Sequence, residues 1–515
     1  MIKTVIKANN YMDSIFLMKA SKEIMKVEGV KDAVVVMGSD MNKTVLADFG
    51  GLTEAAQAAT PNDLIISVES DDESAADKAM EAVVALMSAK ERGEEQKQEK
   101  VYTSFPQALE AVQDANLAMI SLPGEFAAME AKYALNHGMH VFIFSDLTVE
   151  EECMLKKLGE EKDLLVMGPG AGTAVIDGVS IGLMSKVRRG RIGIVAASGS
   201  GLQEVAILIH QAGHGISQAI GTGGRDLSAQ VGGSMMLRSM ELLKNDPDTD
   251  VIVLVSKPPH PDTMKKIFEK AKEIEKPVVI FFLGGDPEAI RSCGAYAPAT
   301  LEEAAVMACA LAAGEKPVIT DYVSDSKEAV READRQEKAK LAPGQKYLRG
   351  LFCGGTHSEE AVTLLQDFVP DMHSNINFGK VDLLENRHVS LENTLVDMGD
   401  EEFTRGRPHP VMDPTILVDR LMQEGTDPEV GVILFDIILG HGVHEDPVGC
   451  IEQTIREINE LNKNAGRYIS FVASVCGTDL DPQNMAQQCA RLEALGVHVL
   501  PSNSKAALFA GMIVC

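Results

Sequence analysis

Two strand–turn–helix junctions carry the residues best suited to chemistry. In Ala197-Ser198-Gly199-Ser200-Gly201, small side chains let the backbone approach a ligand, and a helix is expected from about Leu202. Gly354-Gly355-Thr356-His357 repeats the pattern after another apolar run. The start of a helix leaves N–H groups unpaired and carries the positive end of its dipole, so each junction favours an anion such as phosphate. Two facing termini would hold one phosphoryl group between them; the alternative is a pair of tight turns capped by Ser or Thr. The phosphate-binding candidates are therefore Ser198, Gly199, Ser200, Gly201, Gly354, Gly355, Thr356 and His357.

Three further turns follow expected strands, where open α/β sheets place ligands. They are Gly168–Thr173, Gly221–Asp226, and Gly399-Asp400 leading into Arg405-Gly406-Arg407-Pro408-His409-Pro410. Arg225, Arg405 and Arg407 suit bidentate capture of carboxylate or phosphate. The competing role is an ion pair with Asp226 or Asp413. His409 is a candidate proton carrier or a hydrogen-bonded loop residue. His441 and His444 find no third ligand at a convincing spacing, so no metal is expected. Cys293 and Cys353 show no neighbouring base, which argues against nucleophilic roles.

These turns need parallel strands alternating with helices. Apolar runs at Leu117–Leu122, His140–Phe144, Ile192–Ala196, Val251–Val255 and Val278–Leu283 alternate with helical segments, the pattern of buried strands in doubly wound sheets. The fold expected is α/β, several Rossmann- or flavodoxin-like domains behind an N-terminal α+β, ferredoxin-like unit. The boundaries fall at residues 1–98, 99–185, 186–323 and 346–515, with charged linkers over Glu91–Lys100 and 324–345. VIVLVSKPP and KPVVIFFLGG in the third block resemble VILFDIILG and RYISFVASVCGT in the last, so one α/β domain is expected to be duplicated. With 48 basic against 76 acidic side chains and a net charge of −28, the chain has no basic surface for nucleic acid or anionic membrane. No apolar stretch spans a bilayer and no signal peptide opens the chain. The eight cysteines include no Cys-x-x-Cys pair, which points to reduced thiols in a cytoplasmic protein.

The stretches GRIGIVAASGSGLQEV, GTGGRDL and DPDTDVIVLVSKPP resemble the α-subunit of succinyl-CoA synthetase, as LAMISLPGEFAAMEA and LLVMGPGAGT resemble its CoA-binding domain. LVDMGDEEFTRGRPHPVMDP resembles the β-subunit ligase domain, and the whole chain resembles the FdrA family of acyl-CoA synthetase-like proteins. Where that synthetase family carries its phosphate-accepting histidine, this chain reads Arg291-Ser292-Cys293-Gly294-Ala295-Tyr296. Where the family orients that histidine with glutamate, Lys257 follows Ser256. The Gly-rich CoA loop and the nucleotide domain have no counterpart, so CoA remains an open expectation. The resemblance implies carbamoyl transfer between carbamoyl phosphate and oxamate in allantoin breakdown, equivalently the phosphorolysis of oxalurate. In that picture Arg225 or Arg407 binds carboxylate and Lys257 polarises the carbamoyl group. It also implies an oligomer, with separate partner subunits an open possibility. The alternatives are a component of a nucleotide-driven acyl-CoA synthetase and a non-catalytic phosphometabolite-binding scaffold.

Overall fold

The computed structural model describes residues 1–10, 12, 17, 20–21, 24–27, 29–93, 102, 104–319, 327–405 and 407–515. It divides into two compact units, Met1–Val112 and Gln113–Cys515. In the first, β1 (Ile2–Lys7), β2 (Val30–Met37) and β3 (Leu64–Ser70) form a sheet in the order β1-β3-β2. β3 runs antiparallel to both neighbours. Two parallel strands split by a third are the core of the expected ferredoxin-like unit. Sequence patterning missed two helices between β2 and β3, Asp40–Phe49 and Glu54–Ala58. Their signals were Ser39 and Thr53, whose side chains cap them by accepting from Asn42 N and Ala56 N. Most of the helix expected at residues 13–26 lies outside the described residues, as do most of the linker Glu91–Lys100, the first part of the second linker (324–326) and Gly406.

The second unit holds three sheets. β4 (Leu117–Ile120), β5 (His140–Ile143) and β6 (Val166–Met167) pair in parallel in that order. β7 (Thr173–Ile176) and β8 (Val179–Gly182) form a hairpin through Asp177 and Gly178, both at positive φ, as a tight right-twisted turn requires. The hairpin precedes the boundary expected at 185 but joins the next sheet, because β7 pairs with β10. That sheet adds β9 (Arg189–Ala196), β10 (Ile216–Gly221), β11 (Val251–Ser256) and β12 (Val278–Phe282), in the order β12-β11-β9-β10-β7-β8.

The last sheet is wholly parallel. It contains β13 (Tyr347–Phe352), β14 (Met372–Ser374), β15 (Asp382–Leu383), β16 (Asn393–Asp397), β17 (Val430–Ile438), β18 (Ser470–Cys476) and β19 (His498–Leu500). Its order is β15-β14-β16-β13-β17-β18-β19. The run β12-β11-β9 thus recurs as β18-β17-β13, which is the duplication expected from the repeated motifs. In both sheets the chain leaves the central strand to one side and returns on the other. The carboxyl ends of β9 and β13 therefore lie at switch points, where α/β sheets bind ligands.

Helices cover both faces, so β11, β12, β17 and β18 are buried along their whole length. That is why they read as continuous Val/Ile runs and not as alternating ones. The helix Gly199–Gln211, which follows β9, also reaches the last sheet. Its Ile207 is buried in that sheet's core, and Gln203 Nε2 donates to Leu439 O at 3.0 Å. Burying such an isoleucine contributes roughly 1.5–3 kcal/mol, and it holds the two switch points together. Among the described residues no helix is long and apolar enough to cross a membrane.

Candidate functional site

The two junctions face each other. Ser198 caps its helix by accepting from Gly201 N at 3.0 Å, and its Oγ lies 2.6 Å from Thr356 Oγ1. Thr356 N in turn donates to Ser200 Oγ at 3.2 Å. The first helix starts at Gly199, earlier than Leu202, because the Ser198 cap closes its first turn. A Cβ on Gly201 would lie 3.0 Å from Val255 Cγ1 and 3.3 Å from Thr356 Cγ2, so the approach of the two termini depends on glycine there.

Three of the candidate N–H groups are already engaged. Gly201 N serves the Ser198 cap, Thr356 N serves Ser200, and Gly354 N donates to Asp436 Oδ2 at 3.0 Å. Asp436, toward the carboxyl end of β17, also accepts from Cys353 N at 2.6 Å and holds His357 Nδ1 at 2.8 Å. The His357 side chain is fully buried against that carboxylate and its ring turns into the core, which leaves the expected phosphate contact to its backbone N–H. Among the described residues, Gly199, Ser200 and Gly355 N–H make no such bond.

Those three groups border two adjoining cavities of about 480 and 750 Å³. Both cavities are lined by Gly199, Ser200, Gly355, Gly399 and His409. The smaller adds Lys257, Glu359, Arg387, Asp397 and Asp400. The larger adds Gly170–Thr173, Arg225 and Arg407. Residues from all five expected motifs are thus brought to one place by the two switch points.

Asp397, the last residue of β16, is the most perturbed acid of the smaller cavity. Burial pushes its carboxyl up to about 7, against a hydrogen bond from Gly399 N that lowers it. Asn375 holds its backbone on both sides, accepting from Asp397 N at 2.8 Å and donating to Asp397 O at 2.9 Å. The carboxyl sits at the mouth of the second helix, since a Cβ on Gly355 would lie 2.7 Å from Asp397 Oδ2. An acid half-protonated near neutrality can donate a proton and then keep the negative charge. Burial also lowers the His409 pKa. His409 Nδ1 accepts from Val411 N at 3.4 Å, so the neutral ring carries its proton on Nε2, beside Gly399.

The cations are less free than their sequence positions implied. Lys257 lines the cavity but forms an ion pair with Glu359, whose pKa burial raises and Lys257 lowers. Arg225 pairs with Glu152 at 3.0 Å and donates to Leu147 O, so its partner is neither Asp226 nor a vacant anion site. Glu152 and Asp226 are themselves bound to the buried Lys156 at 2.7 and 2.8 Å. Arg405 pairs with Glu401 at 3.0 Å, not with Asp413. Arg407 lines the larger cavity. Because Lys156 still neutralises Glu152, Arg225→Gln is expected to cost about 1 kcal/mol of stability and to change turnover less than about tenfold. Thermal melts and steady-state rates on that variant check this, and a complete loss of turnover would return Arg225 to the reaction.

Motif reading missed Asp397, Asp436 and Asn375. A lone acid inside the otherwise apolar VILFDIILG was the available signal for Asp436. Asp397 lay in LVDMGD, where the following glycine drew the attention and the acid ending the strand did not. Nothing local marks Asn375, whose role exists only because β14 and β16 are neighbours.

Residues 351–513 match the CoA-ligase family and residues 187–284 the CoA binding domain family. Residues 1–103 match the AllF, heavy metal-associated domain family. That segment contains neither Cys nor His, so it offers no thiolate or imidazole ligand for a metal ion. The chain is 40% identical to YahF of Escherichia coli (strain K12) over 515 residues, covering all of this chain and 99% of that one. It is 27% identical over 206 residues to the ADP-forming succinate–CoA ligase subunit alpha of Methanothermobacter thermautotrophicus, covering 39% of this chain and 68% of that subunit. The crystal structure of PH0766 from Pyrococcus horikoshii aligns over 81% of this chain and 86% of its own, with 16% identity and a TM-score of 0.35.

Proposed function

Since the chain belongs to the family of YahF, a ligase-like acyl-CoA synthetase family, we propose that it transfers a carbamoyl group between carbamoyl phosphate and oxamate. The observation that carries this reading is the pair of facing helix termini with Gly199, Ser200 and Gly355 N–H unengaged beside Asp397. Phosphate bound there is a nucleophile held by preorganised dipoles and needs no covalent protein intermediate. One of its oxygens attacks the carbamoyl carbon of oxalurate. The bond from that carbon to the oxamate nitrogen breaks, and Asp397 gives the nitrogen its proton. Carbamoyl phosphate and oxamate leave, the proton of the attacking hydrogenphosphate passes to solvent, and the Asp397 carboxylate regains one from it. Arg407 suits the oxamate carboxylate in the larger cavity, and Lys257 the carbamoyl oxygen. His409 Nε2–H is a second donor at the shared wall.

The segment Arg291–Tyr296 supports a pathway without phosphohistidine. It has no histidine, and burial pushes the thiol of Cys293 up, away from the reactive thiolate. In this reading the protein works in the cytoplasm as an oligomer, together with separate subunits where one chain does not suffice. The deciding assay follows oxalurate and phosphate by ³¹P NMR, with and without the proteins encoded by neighbouring genes. Carbamoyl phosphate should appear only when both substrates are present. Absence of product under every combination would defeat the carbamoyl reading.

The matches to CoA-ligase and CoA-binding families favour one further reading, a component of an acyl-CoA synthetase. Arg225 and Arg407 would then meet the phosphates of CoA in the larger cavity. Tight CoA binding, or acid-labile phosphate trapped on His357 or His409 in the presence of nucleoside triphosphate, would favour it.

A further inference from the structure

We propose that Glu204, His357 and Cys476 form a buried site for one divalent transition-metal ion of zinc-like preference, linking the two switch-point sheets from within. Glu204 lies on the helix that follows β9, His357 on the helix that follows β13, and Cys476 ends β18. Their ligand atoms all lie within 4.8 Å of one another, and His357 Nε2 is 3.7 Å from Glu204 Oε2. All three side chains are buried.

The state of His357 points to a ligand. Its Nδ1 bonds Asp436, whereas the buried Nε2 has no hydrogen-bond partner. A carboxylate on one ring nitrogen that aims the other at a cation is the outer-shell arrangement of metal-bound histidines. Glu204 is likewise held from behind, because Asn503 N donates to its Oε1 at 3.1 Å. One imidazole, one thiol and one carboxylate make a mixed N/S/O set, which suits zinc or cobalt and leaves a fourth position open. Metal entry forms bonds to Sγ, Nε2 and a carboxylate oxygen. It releases to solvent the thiol proton and any proton on Nε2. Sequence spacing is silent because each ligand comes from a different segment of the chain.

The test strips the full-length protein with a chelator and titrates it with Co²⁺, followed by Zn²⁺. One equivalent of cobalt should bind, with a thiolate-to-cobalt charge-transfer band and the strong visible bands of four-coordinate geometry, and zinc should abolish both. Cys476→Ser, close in shape, should keep the circular dichroism of the parent and lose the charge-transfer band. Asp436→Asn should weaken cobalt binding by about 10–100-fold through the mis-set ring. Cys450→Ser controls for the separate contact between Cys450 and His444 and should bind as the parent does. Folded protein that takes up no cobalt overturns the proposal, as does a charge-transfer band that survives Cys476→Ser. Either result leaves His357 as an ion-pair partner of Asp436 and Glu204 without a metal.

Discussion

Replacing Asp397 with Asn is expected to lower phosphate-dependent turnover by roughly 10²–10⁴-fold, the usual contribution of a general acid. The same change should make the protein more stable above pH 7. The folded carboxyl titrates at about 7, above its ordinary 3.8, because burial penalises its charge. The folded state therefore holds the proton more tightly than the unfolded chain. Its stabilising contribution is complete below pH 3.8 and is lost as pH rises through 7. At about 1.4 kcal/mol per unit, the wild-type chain gives up on the order of 4 kcal/mol across that window. Asn keeps the oxygen that accepts from Gly399 N and has nothing to titrate, so the variant should lose about 4 kcal/mol less than the parent across that window. Denaturant melts at pH 4, 6 and 8 on both proteins check the sign. Equal losses in both would show that Asp397 is not the titrating group, and undiminished turnover would remove it from the reaction.

Gly199→Val is the second large effect. Gly199 does not have positive φ, and a Cβ there would meet only Thr173 Oγ1, at 3.7 Å. The fold has room for the side chain, so the melting temperature should stay within a few degrees of the parent. The isopropyl group would occupy the space where an anion meets Gly199 and Ser200 N–H. Turnover should fall by about 10²–10³-fold, the effect of losing a preorganised donor. Gly355→Val makes a less clean probe, because its Cβ would press on Asp397 Oδ2 and disturb site and fold together. A Gly199→Val enzyme with normal turnover would mean that phosphate does not use this terminus.

The elements were legible because their burial is uniform. β11, β12, β17 and β18 are covered on both faces, so Val and Ile run unbroken through them, and the repeated runs revealed the duplicated strand order. The glycine junctions were legible for a local reason, since small residues between strand and helix mark a close backbone approach. What patterning could not supply was which N–H groups were already satisfied. Gly354 N is taken by Asp436, 82 residues away in sequence, and this long-range pairing also turns His357 inward. Arg225 and Lys257 illustrate the same limit. Each looked like a vacant cation, and each is paired with a carboxylate, Glu152 or Glu359, from another segment.

The position of bound phosphate tests the central claim most directly. Crystals of the full chain soaked in phosphate should show the anion between the two helix starts, with its oxygens in hydrogen-bond reach of Gly199, Ser200 and Gly355 N–H and beside the Asp397 carboxyl. Phosphate ordered only against Arg225 and Arg407, with nothing between the junctions, would contradict the account.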